Sequence, residues 1–474
     1  MSPPLPVLHA VRRLAAPLLS LTSPDGQLVA DSAASPAEPT EVSATVLIVF
    51  ALTYVAYAVL YLARKPVSVV KTTLEAELKM SVAALGRIDS ALLLSYTAGQ
   101  LLLGRTVKTF GRTLPLVVAY AASGASTAAF GLASSSGAMT AAWAASGFFA
   151  APANPLMVIL IGELFPASLR ATAIGAWSSS QQIGGVAANL ISAYVLGKYG
   201  WRAVFLVSGG LIASFAPLLA IALPLCTRGT TTAAAAAPKQ ERAPTAKPSS
   251  SAKGASASPL SVRGASAVAA SYSLVKMARY CLMFWLPFFL SKYCGLSPPA
   301  AAGVATAFDV GGALGNLAAG VLCDRLYGGR MMLSALHMCL ASSLGFVAWA
   351  GLCVATAGRA SPPLAAHVAA IFFIGFFIAG PDGILGGGAP RTIVDYGAET
   401  AGDRTLYAAV SGFVNGCGSV GALLQGLFTS QLVDAVGWTG LFLTLAVATL
   451  GGAGALLPAV QVEDVALKKK AMRK

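Results

Sequence analysis

Two arginines lie inside long apolar segments of this chain, Arg64 and Arg279. Placing a charge at the centre of a bilayer costs about 2.5–3.5 kcal/mol on insertion scales, so each arginine needs a functional or structural reason. A guanidinium group is always charged, and its planar fork forms bidentate hydrogen bonds to phosphate oxygens. Two such groups facing one cavity suit an anionic tetrahedral group, because a phosphate monoester carries a charge of roughly −1.5 to −2.

The neighbours of both arginines fit the same chemistry. Tyr57 and Tyr61 precede Arg64 on one face of a helix, and Lys276 stands one helical turn before Arg279. Tyrosines beside a membrane arginine either bond a ligand or simply pack, and the spacing leaves both open. For Arg64 the competing interpretation is an anchor at the membrane interface, since it lies near the outer end of its helix. The apolar run that continues beyond it favours the paired functional role.

Three acidic residues also fall at membrane depth: Asp89, Asp309 and Asp382. We predict that Asp309 compensates charge by pairing with Lys276 or Arg279 when no substrate is bound. Proton coupling through Asp309 is the competing interpretation. Asp324 and Arg325 stand in a short cytosolic loop and fit a conformational latch, to which Arg112 contributes from the first half of the chain.

No pattern indicates a metal site, a nucleotide site or a nucleophile. The seven cysteines have no Cys-x-x-Cys spacing and the three histidines are widely scattered. A Gly-x-x-x-x-Gly-Lys-Ser/Thr phosphate loop is absent from the sequence. We therefore expect no cofactor, no enzymatic activity and no ATP-driven pumping.

The elements that position these residues are membrane helices. Of 474 residues 56% are hydrophobic and only 11% charged, with a mean hydropathy of +0.73, whereas soluble domains carry roughly a quarter charged residues. We predict an all-α integral membrane protein with twelve spans of about bilayer length. The spans are 43–63 (or as far as 70), 82–104, 113–133, 138–162, 171–196, 203–225, 264–292, 299–322, 331–355, 366–390, 405–432 and 438–458.

The net charge of +14 is explained by topology rather than by nucleic acid. With both termini in the cytosol, cytosolic segments hold 21 of the 32 Lys and Arg residues and outer loops hold six. This is the positive-inside bias. The outer six are Lys71, Lys79, Lys198, Arg202, Lys292 and Arg359.

Composition divides the chain into five regions. Residues 1–40 are rich in Pro, Ala and Ser and are predicted to be a disordered tail, with a cleaved targeting peptide as the alternative for its beginning. Residues 227–263 lack aromatic residues and are predicted to be a disordered cytosolic linker. The linker separates two six-helix halves, 41–226 and 264–459, and residues 460–474 form a basic cytosolic tail.

The two halves repeat each other. Arg64 corresponds to Arg279, Phe148-Phe149 to Phe376-Phe377, and the segment from Gly200-Trp201 to the segment from Gly437-Trp438. Gly104-x-x-x-Lys108 with Gly111-Arg112 corresponds to Gly320-x-x-x-Asp324 and the residues that follow it. Two halves of parallel topology place a substrate site between them near the middle of the membrane.

Three segments resemble a known family: Tyr61-Leu-Ala-Arg64-Lys65-Pro66, Phe284-Trp285-Leu-Pro287 and Phe308-Asp309-Val-Gly-Gly312. They are similar to the organophosphate:phosphate antiporters of the major facilitator superfamily, above all to the eukaryotic sugar-phosphate exchanger and glycerol-3-phosphate transporter branch. The resemblance implies the major facilitator fold, with two pseudo-symmetric halves. It also implies a phosphate held by Arg64 and Arg279, with Lys65 and Lys276 among the substrate-binding residues.

The same resemblance extends the predicted site and shows two departures. The residues that match the lining of the bacterial members are Tyr57, Tyr61, Tyr96 and Trp177. Gln100 and Gln181 stand where those members have a lysine and a histidine, and we include both in the site. Lys108 replaces the usual aspartate of the first-half latch. The departures leave the organic part of the substrate open.

These observations favour exchange of inorganic phosphate for a phosphorylated sugar or glycerol-3-phosphate by rocker-switch alternating access. The alternatives are a proton-coupled transporter of another anion and a transport-dead sensor of sugar phosphate. We expect a monomer with both termini cytosolic. The expected location is a eukaryotic endomembrane such as the endoplasmic reticulum, with the plasma membrane or plastid envelope as alternatives.

Overall fold

The computed structural model describes residues 42–103, 110–227, 258–356, 363–397 and 404–472. The predicted tail (1–40), most of the predicted linker (227–263) and Lys108 lie outside these ranges. The compact unit that contains the site spans Ser43–Lys474, and the regular secondary structure of its described residues is all helical. Its helices are α1 (Ala44–Val59), α2 (Pro66–Leu78), α3 (Val82–Leu103), α4 (Thr113–Leu132), α5 (Ser136–Ala150), α6 (Ala153–Leu164), α7 (Ala167–Ser178), α8 (Ser180–Thr227), α9 (Ala265–Tyr293), α10 (Pro298–Arg325), α11 (Met331–Thr356), α12 (Leu364–Gly386), α13 (Ala389–Gly397) and α14 (Arg404–Ala471), with 3₁₀ turns at Leu60–Ala63 and Pro259–Ser261.

The twelve predicted spans are recovered. Within the described ranges, nine helical stretches are long and apolar enough to cross a bilayer. Two of them, Ala173–Leu225 and Leu406–Lys469, are far longer than a membrane is thick. Each is interrupted by a glycine with positive φ, Gly200 at 80° and Gly437 at 67°, and so holds two spans. With the 22 residues of α3 the count is twelve, which confirms the all-α membrane fold.

The sequence repeat is also a repeat of helix packing. A Cβ on Gly99 of α3 would collide with the carbonyl oxygen of Phe148 on α5, and a Cβ on Gly315 of α10 would collide with that of Phe376 on α12. These four residues occupy corresponding positions in the two halves. In both halves, therefore, a glycine lets the second and fourth spans approach to backbone contact.

The first span breaks beside Arg64. Helix α1 ends at Val59, a 3₁₀ turn covers Leu60–Ala63, and Arg64 has the non-helical angles φ −131° and ψ −40°. Pro66 begins α2, where its missing N–H costs no intrahelical hydrogen bond. The break sets Arg64 apart from regular helix at membrane depth.

Helix α2 corrects one prediction. Lys71 was expected in an outer loop, but it lies within α2 and is fully buried. The helix resumes immediately after the break, so the polypeptide that follows Pro66 continues through the interior instead of leaving it.

The end of the chain is helical as far as Ala471, through most of the segment predicted as a basic tail. The buried carboxylate of Glu463 accepts hydrogen bonds from the backbone N–H groups of Met332 (3.1 Å) and Leu333 (3.3 Å) at the start of α11. Arg330 pairs with Asp464 at 3.2 Å. These contacts cap otherwise unsatisfied donors of α11 and fasten the end of α14 to it.

Candidate functional site

A cavity of about 1170 Å³ lies between the two halves. Its size is ample for a small organic ligand. The polar and charged residues that line it from the first half are Tyr57, Tyr61, Arg64, Tyr96, Thr97, Gln100, Asn154, Ser178, Ser179, Gln181 and Gln182. Those from the second half are Tyr272, Lys276, Arg279, Tyr280, Asp309, Asn316, Asp324, Asp382, Asn415 and Ser419. The structure thus brings both predicted arginines to one cavity.

Arg64 faces the cavity without a carboxylate partner. Its guanidinium carbon lies 4.4 Å from the centre of the Tyr96 ring and 5.5 Å from that of Tyr61. In the part of the chain that the structure describes, no acidic side chain lies within ion-pair distance of it. Aromatic faces stabilise a cation while leaving its N–H donors available. Arg64 is therefore ready to receive an anion.

Arg279 is paired, with a partner that the sequence left unassigned. It donates a hydrogen bond to Oδ2 of Asp382 on α12, and the two side chains are 19% and 14% exposed. Oδ1 of Asp382 has no hydrogen-bond partner among the described residues. The only sequence signal for Asp382 was a carboxylate in an apolar helix.

Lys276 is held by aromatic rings. Its ammonium nitrogen lies 5.0 Å from the centre of the Tyr272 ring and 5.8 Å from that of Tyr280. Gly418 of α14 gives the lysine stem room, because a Cβ there would lie 3.2 Å from its Cδ. Lys276 has no ion-pair partner within the described ranges.

Asp309 does not pair with Lys276 or Arg279 as predicted. Its carboxylate binds the ammonium group of Lys65 at 2.9 and 3.1 Å and accepts a hydrogen bond from Nδ2 of Asn189 at 3.1 Å. Lys65 is 2% exposed and does not line the cavity. Consecutive side chains at the helix break diverge, so Arg64 lies at the cavity while Lys65 lies against α10. The structure thus gives Lys65 an ion pair where a direct contact with substrate was expected.

The remaining predicted lining residues form a polar and aromatic wall. Tyr61 donates to Oε1 of Gln181 at 2.9 Å, and Nε2 of Gln100 donates to the Tyr96 hydroxyl at 3.4 Å. Trp177 is completely buried and lies behind this wall, with its ring 4.8 Å from that of Tyr57. Trp177 therefore positions Tyr57 instead of lining the cavity.

The predicted latch residues lie at one end of the cavity. Arg112 forms two hydrogen bonds with Glu163, which links α6 to the start of α4. Asp324 lines the cavity and Arg325 is exposed, and neither has an ion pair with any described residue. The cavity extends to this end, as far as Gly387 and Gly388.

The opposite end is closed by residues from both halves. Lys71 of α2 donates to Asp89 of α3 and to the carbonyl oxygen of Phe284 on α9 at 2.9 Å. Its ammonium group lies 3.7 Å from the centre of the Trp285 ring. A more exposed ion pair, Lys292 with Glu75 at 2.6 Å, joins the same two elements.

Among the described residues, positive charge is uncompensated in the body of the cavity, while the unpaired carboxylate of Asp324 lies at its open end. Asp382 offsets Arg279, and Lys65 offsets Asp309, which leaves Arg64 and Lys276 uncompensated in the body of the cavity. The described residues contain no group of three His, Cys, Asp or Glu side chains able to hold a metal ion. The arrangement suits a small anion of charge near −2.

Comparison with known proteins gives a consistent family. The model of the Major Facilitator Superfamily matches residues 53–386. The chain is 28% identical to "Putative glycerol-3-phosphate transporter 2" of Arabidopsis thaliana, over 85% of this chain and 84% of that protein. It is 24% identical to "Sugar phosphate exchanger 3" of Bos taurus (84% and 89% covered). It is also 24% identical to "Membrane sensor protein UhpC" of Salmonella typhimurium (85% and 89% covered).

Solved structures agree on the fold. A bacterial homologue of the human lysosomal transporter Spinster aligns with a TM-score of 0.61 at 17% identity, covering 90% of this chain and 96% of that one. The xylose transporter XylE from E. coli aligns with a TM-score of 0.62 at 14% identity, covering 87% and 97%. At these identities the likeness concerns the arrangement of helices alone.

Proposed function

We propose that this chain, which belongs to the Major Facilitator Superfamily, exchanges a phosphorylated sugar or glycerol-3-phosphate for inorganic phosphate. The superfamily and the transporters among its relatives confirm the predicted family and the prediction that the chain is not an enzyme. The phosphate ester, the exchange and its mechanism are our proposal.

One observation carries the proposal: an arginine from each half lines the same cavity, and Arg64 has no carboxylate partner among the described residues. A phosphate between the arginines receives bidentate hydrogen bonds from two halves that move relative to each other. The substrate itself then links the halves, which is what alternating access requires.

The names of the relatives support the same class of substrate. One is named "Putative glycerol-3-phosphate transporter 2" and another "Sugar phosphate exchanger 3", and the match to each extends over more than four fifths of both chains. The two uncompensated positive charges of Arg64 and Lys276 in the body of the cavity agree with the charge of a phosphate ester.

The closed and open ends support an alternating-access mechanism. The cavity reaches the end marked by Asp324 and Gly388, and the Lys71 contacts seal the other end. The distribution of Lys and Arg assigns the open end to the cytosol, so this conformation is inward-open in our proposal. A monomer contains both halves of the site. We propose a eukaryotic endomembrane as the location.

A transport-dead sensor is the second candidate, because the chain is also 24% identical to a protein named as a membrane sensor. A sensor binds the ligand but does not move it. The cavity geometry is compatible with both, so the distinction needs a transport measurement.

Counterflow in proteoliposomes makes that distinction. Purified protein is reconstituted with unlabelled phosphate inside, and radiolabelled phosphate is added outside at low concentration. We expect transient accumulation of label that an external sugar phosphate or glycerol-3-phosphate inhibits. Binding of labelled phosphate in detergent without any counterflow would instead indicate the sensor, and absence of both would overturn the proposed ligand.

A further inference from the structure

Three polar side chains on the second half line the cavity with hydrogen-bonding capacity to spare: Asn316 of α10, Asp382 of α12 and Asn415 of α14. Asn316 makes no hydrogen bond with any described residue, and Oδ1 of Asp382 has no partner. Nδ2 of Asn415 donates to the carbonyl oxygen of Ser411 at 3.0 Å, while its Oδ1 accepts nothing within the described ranges. The cluster therefore offers donors and acceptors to a ligand.

A glycine brings two of these groups together. Gly383 follows Asp382, and a Cβ at this position would lie only 2.7 Å from Oδ1 of Asn316. The absence of a side chain lets the Asn316 carboxamide lie against α12 next to the aspartate. Asn415 is fastened to the same helix, because its Nδ2 also contacts the carbonyl oxygen of Gly386 at 3.4 Å.

The charge of Asp382 determines which part of a ligand lies here. A carboxylate repels a phosphate dianion, and this repulsion is strong in a partly buried cavity. Arg64 and Lys276 carry no such carboxylate among the described residues. The phosphate is therefore drawn toward Arg64 and Lys276, and it contacts Arg279 on the side away from Asp382. The group beside Asp382 must be uncharged and able to donate hydrogen bonds.

Hydroxyl groups meet this requirement. Each hydroxyl donates one hydrogen bond and accepts others, a carboxylate only accepts, and a carboxamide does both. We propose that Asn316, Asp382 and Asn415 form a hydroxyl subsite that binds the organic part of the substrate and orients its phosphate toward Arg64. This inference rests on the proposed function and assigns its substrate class: phosphate esters of polyols with free hydroxyl groups.

If the subsite exists, substitutions in it should change the binding of the ester and the binding of inorganic phosphate differently. Inorganic phosphate has no organic part and does not use the subsite. Loss of the Asn316 side chain should weaken the binding of esters with hydroxyl groups but leave the binding of phosphate and of a hydroxyl-free ester unchanged. Loss of the Asp382 charge should strengthen the binding of inorganic phosphate, because it releases Arg279. It should weaken the binding of esters with hydroxyl groups, because it removes a hydrogen-bond acceptor.

The test measures inhibition of labelled-phosphate exchange by glycerol-3-phosphate, glucose 6-phosphate and n-propyl phosphate. In Asn316→Ala we expect the inhibition constant of the hydroxyl-bearing ester that the wild type prefers to rise about tenfold. The KM for phosphate and the inhibition constant of n-propyl phosphate should stay within about twofold. Asp382→Asn should lower the KM for phosphate and raise the inhibition constant of that ester. Asp434→Asn, the same chemical change at an exposed position outside the cavity lining, is the control.

Two results would overturn the subsite. The first is a wild-type protein that binds n-propyl phosphate as tightly as both hydroxyl-bearing esters. The second is an Asn316→Ala variant in which the KM for phosphate and the inhibition constant of the ester rise by the same factor. If the wild type exchanges no phosphate, the proposed function fails by itself. The same competitors are then measured against equilibrium binding of labelled phosphate in detergent, which tests the subsite without transport.

Discussion

Asp309 of α10 holds the ammonium group of Lys65 at 2.9 Å, and this buried ion pair joins the two halves at the residue next to Arg64. Asn189 of α8 donates to the same carboxylate at 3.1 Å. The pair therefore fixes the helix break from which Arg64 faces the cavity. Because Asp309 neutralises Lys65, a substrate does not need to balance the charge of this lysine.

Breaking this pair should destabilise the protein. In Asp309→Asn the buried Lys65 loses its counter-ion, and stranding a buried charge costs about 3–5 kcal/mol. We expect a clearly lower midpoint of thermal unfolding in detergent, and partial recovery in Lys65→Met/Asp309→Asn, where no charge is stranded. If Asp309→Asn alone unfolds at the same temperature as the wild type, water already screens the ion pair.

Replacing either cavity arginine by lysine should reduce transport. Lysine keeps the charge but loses the planar fork, and a lost charge-assisted hydrogen bond is worth about 1.5–3 kcal/mol. We expect initial rates of phosphate exchange to fall by an order of magnitude or more in Arg64→Lys and in Arg279→Lys. Surface labelling of the reconstituted protein controls for amount and insertion. Unchanged rates in correctly inserted variants would restrict these arginines to a structural role.

Lys71 should keep closed the cavity end opposite Asp324, which is the outer end in our proposed orientation. Its hydrogen bond to the Phe284 carbonyl crosses from α2 to α9, and removal of this contact together with Asp89 strands no charge. We expect Lys71→Met/Asp89→Leu to populate a conformation open at that end. The probe is Val67→Cys, a buried position of α2, in a Cys294→Ser background. An impermeant maleimide added from outside should react several times faster in the double variant.

The exposed pair Lys292–Glu75 supplies the matched comparison. Ion pairs at this exposure contribute little, so Lys292→Gln/Glu75→Gln should change the labelling rate far less. Equal rates in both variants would mean that the Lys71 contacts are not the main closure.

The orientation is tested by protease access to the linker 227–263. Because the segments that we assign to the cytosol hold most of the Lys and Arg residues, we expect protease added outside intact cells to leave this linker uncut and to cut it after permeabilisation. A tag in the linker, detected with an antibody, reports cleavage. Cutting without permeabilisation would reverse the assigned topology and the inward-open assignment with it.

Much of the fold was predictable because hydropathy and the internal repeat are both local signals. The predicted gaps between spans at 197–202 and 433–437 contain Gly200 and Gly437, where the structure interrupts the two long helices. Arg64 and Arg279 were found because a charge at membrane depth is conspicuous in a sequence. The resemblance then placed both in one cavity, where the structure has them.

The ion-pair partners were not predictable in the same way. Asp309 and Asp382 are both carboxylates in apolar helices, and the choice of partner depends on the rotation of α10 and α12 and on which way the chain turns at Arg64. Lys65 was assigned to substrate through the family resemblance of the segment that contains Arg64, yet the non-helical backbone at Arg64 separates the two side chains. Lys71 was placed in an outer loop because the first span was predicted to end at residue 63, or at residue 70 at the latest.

The central claim is exchange, and its physical basis is the uncompensated charge of Arg64 and Lys276. Closing the halves over an empty cavity desolvates these charges without a partner, which costs several kcal/mol, whereas a bound phosphate dianion neutralises them. The loaded carrier should change sides readily and the empty one reluctantly.

The most direct measurement is efflux of labelled phosphate from proteoliposomes. We predict slow efflux into phosphate-free buffer and a sharp acceleration when phosphate or a phosphate ester is added outside. Liposomes without protein and the Arg64→Lys variant give the background. Efflux that is equally fast into empty buffer would show that the unloaded carrier returns freely, and it would contradict the account of exchange.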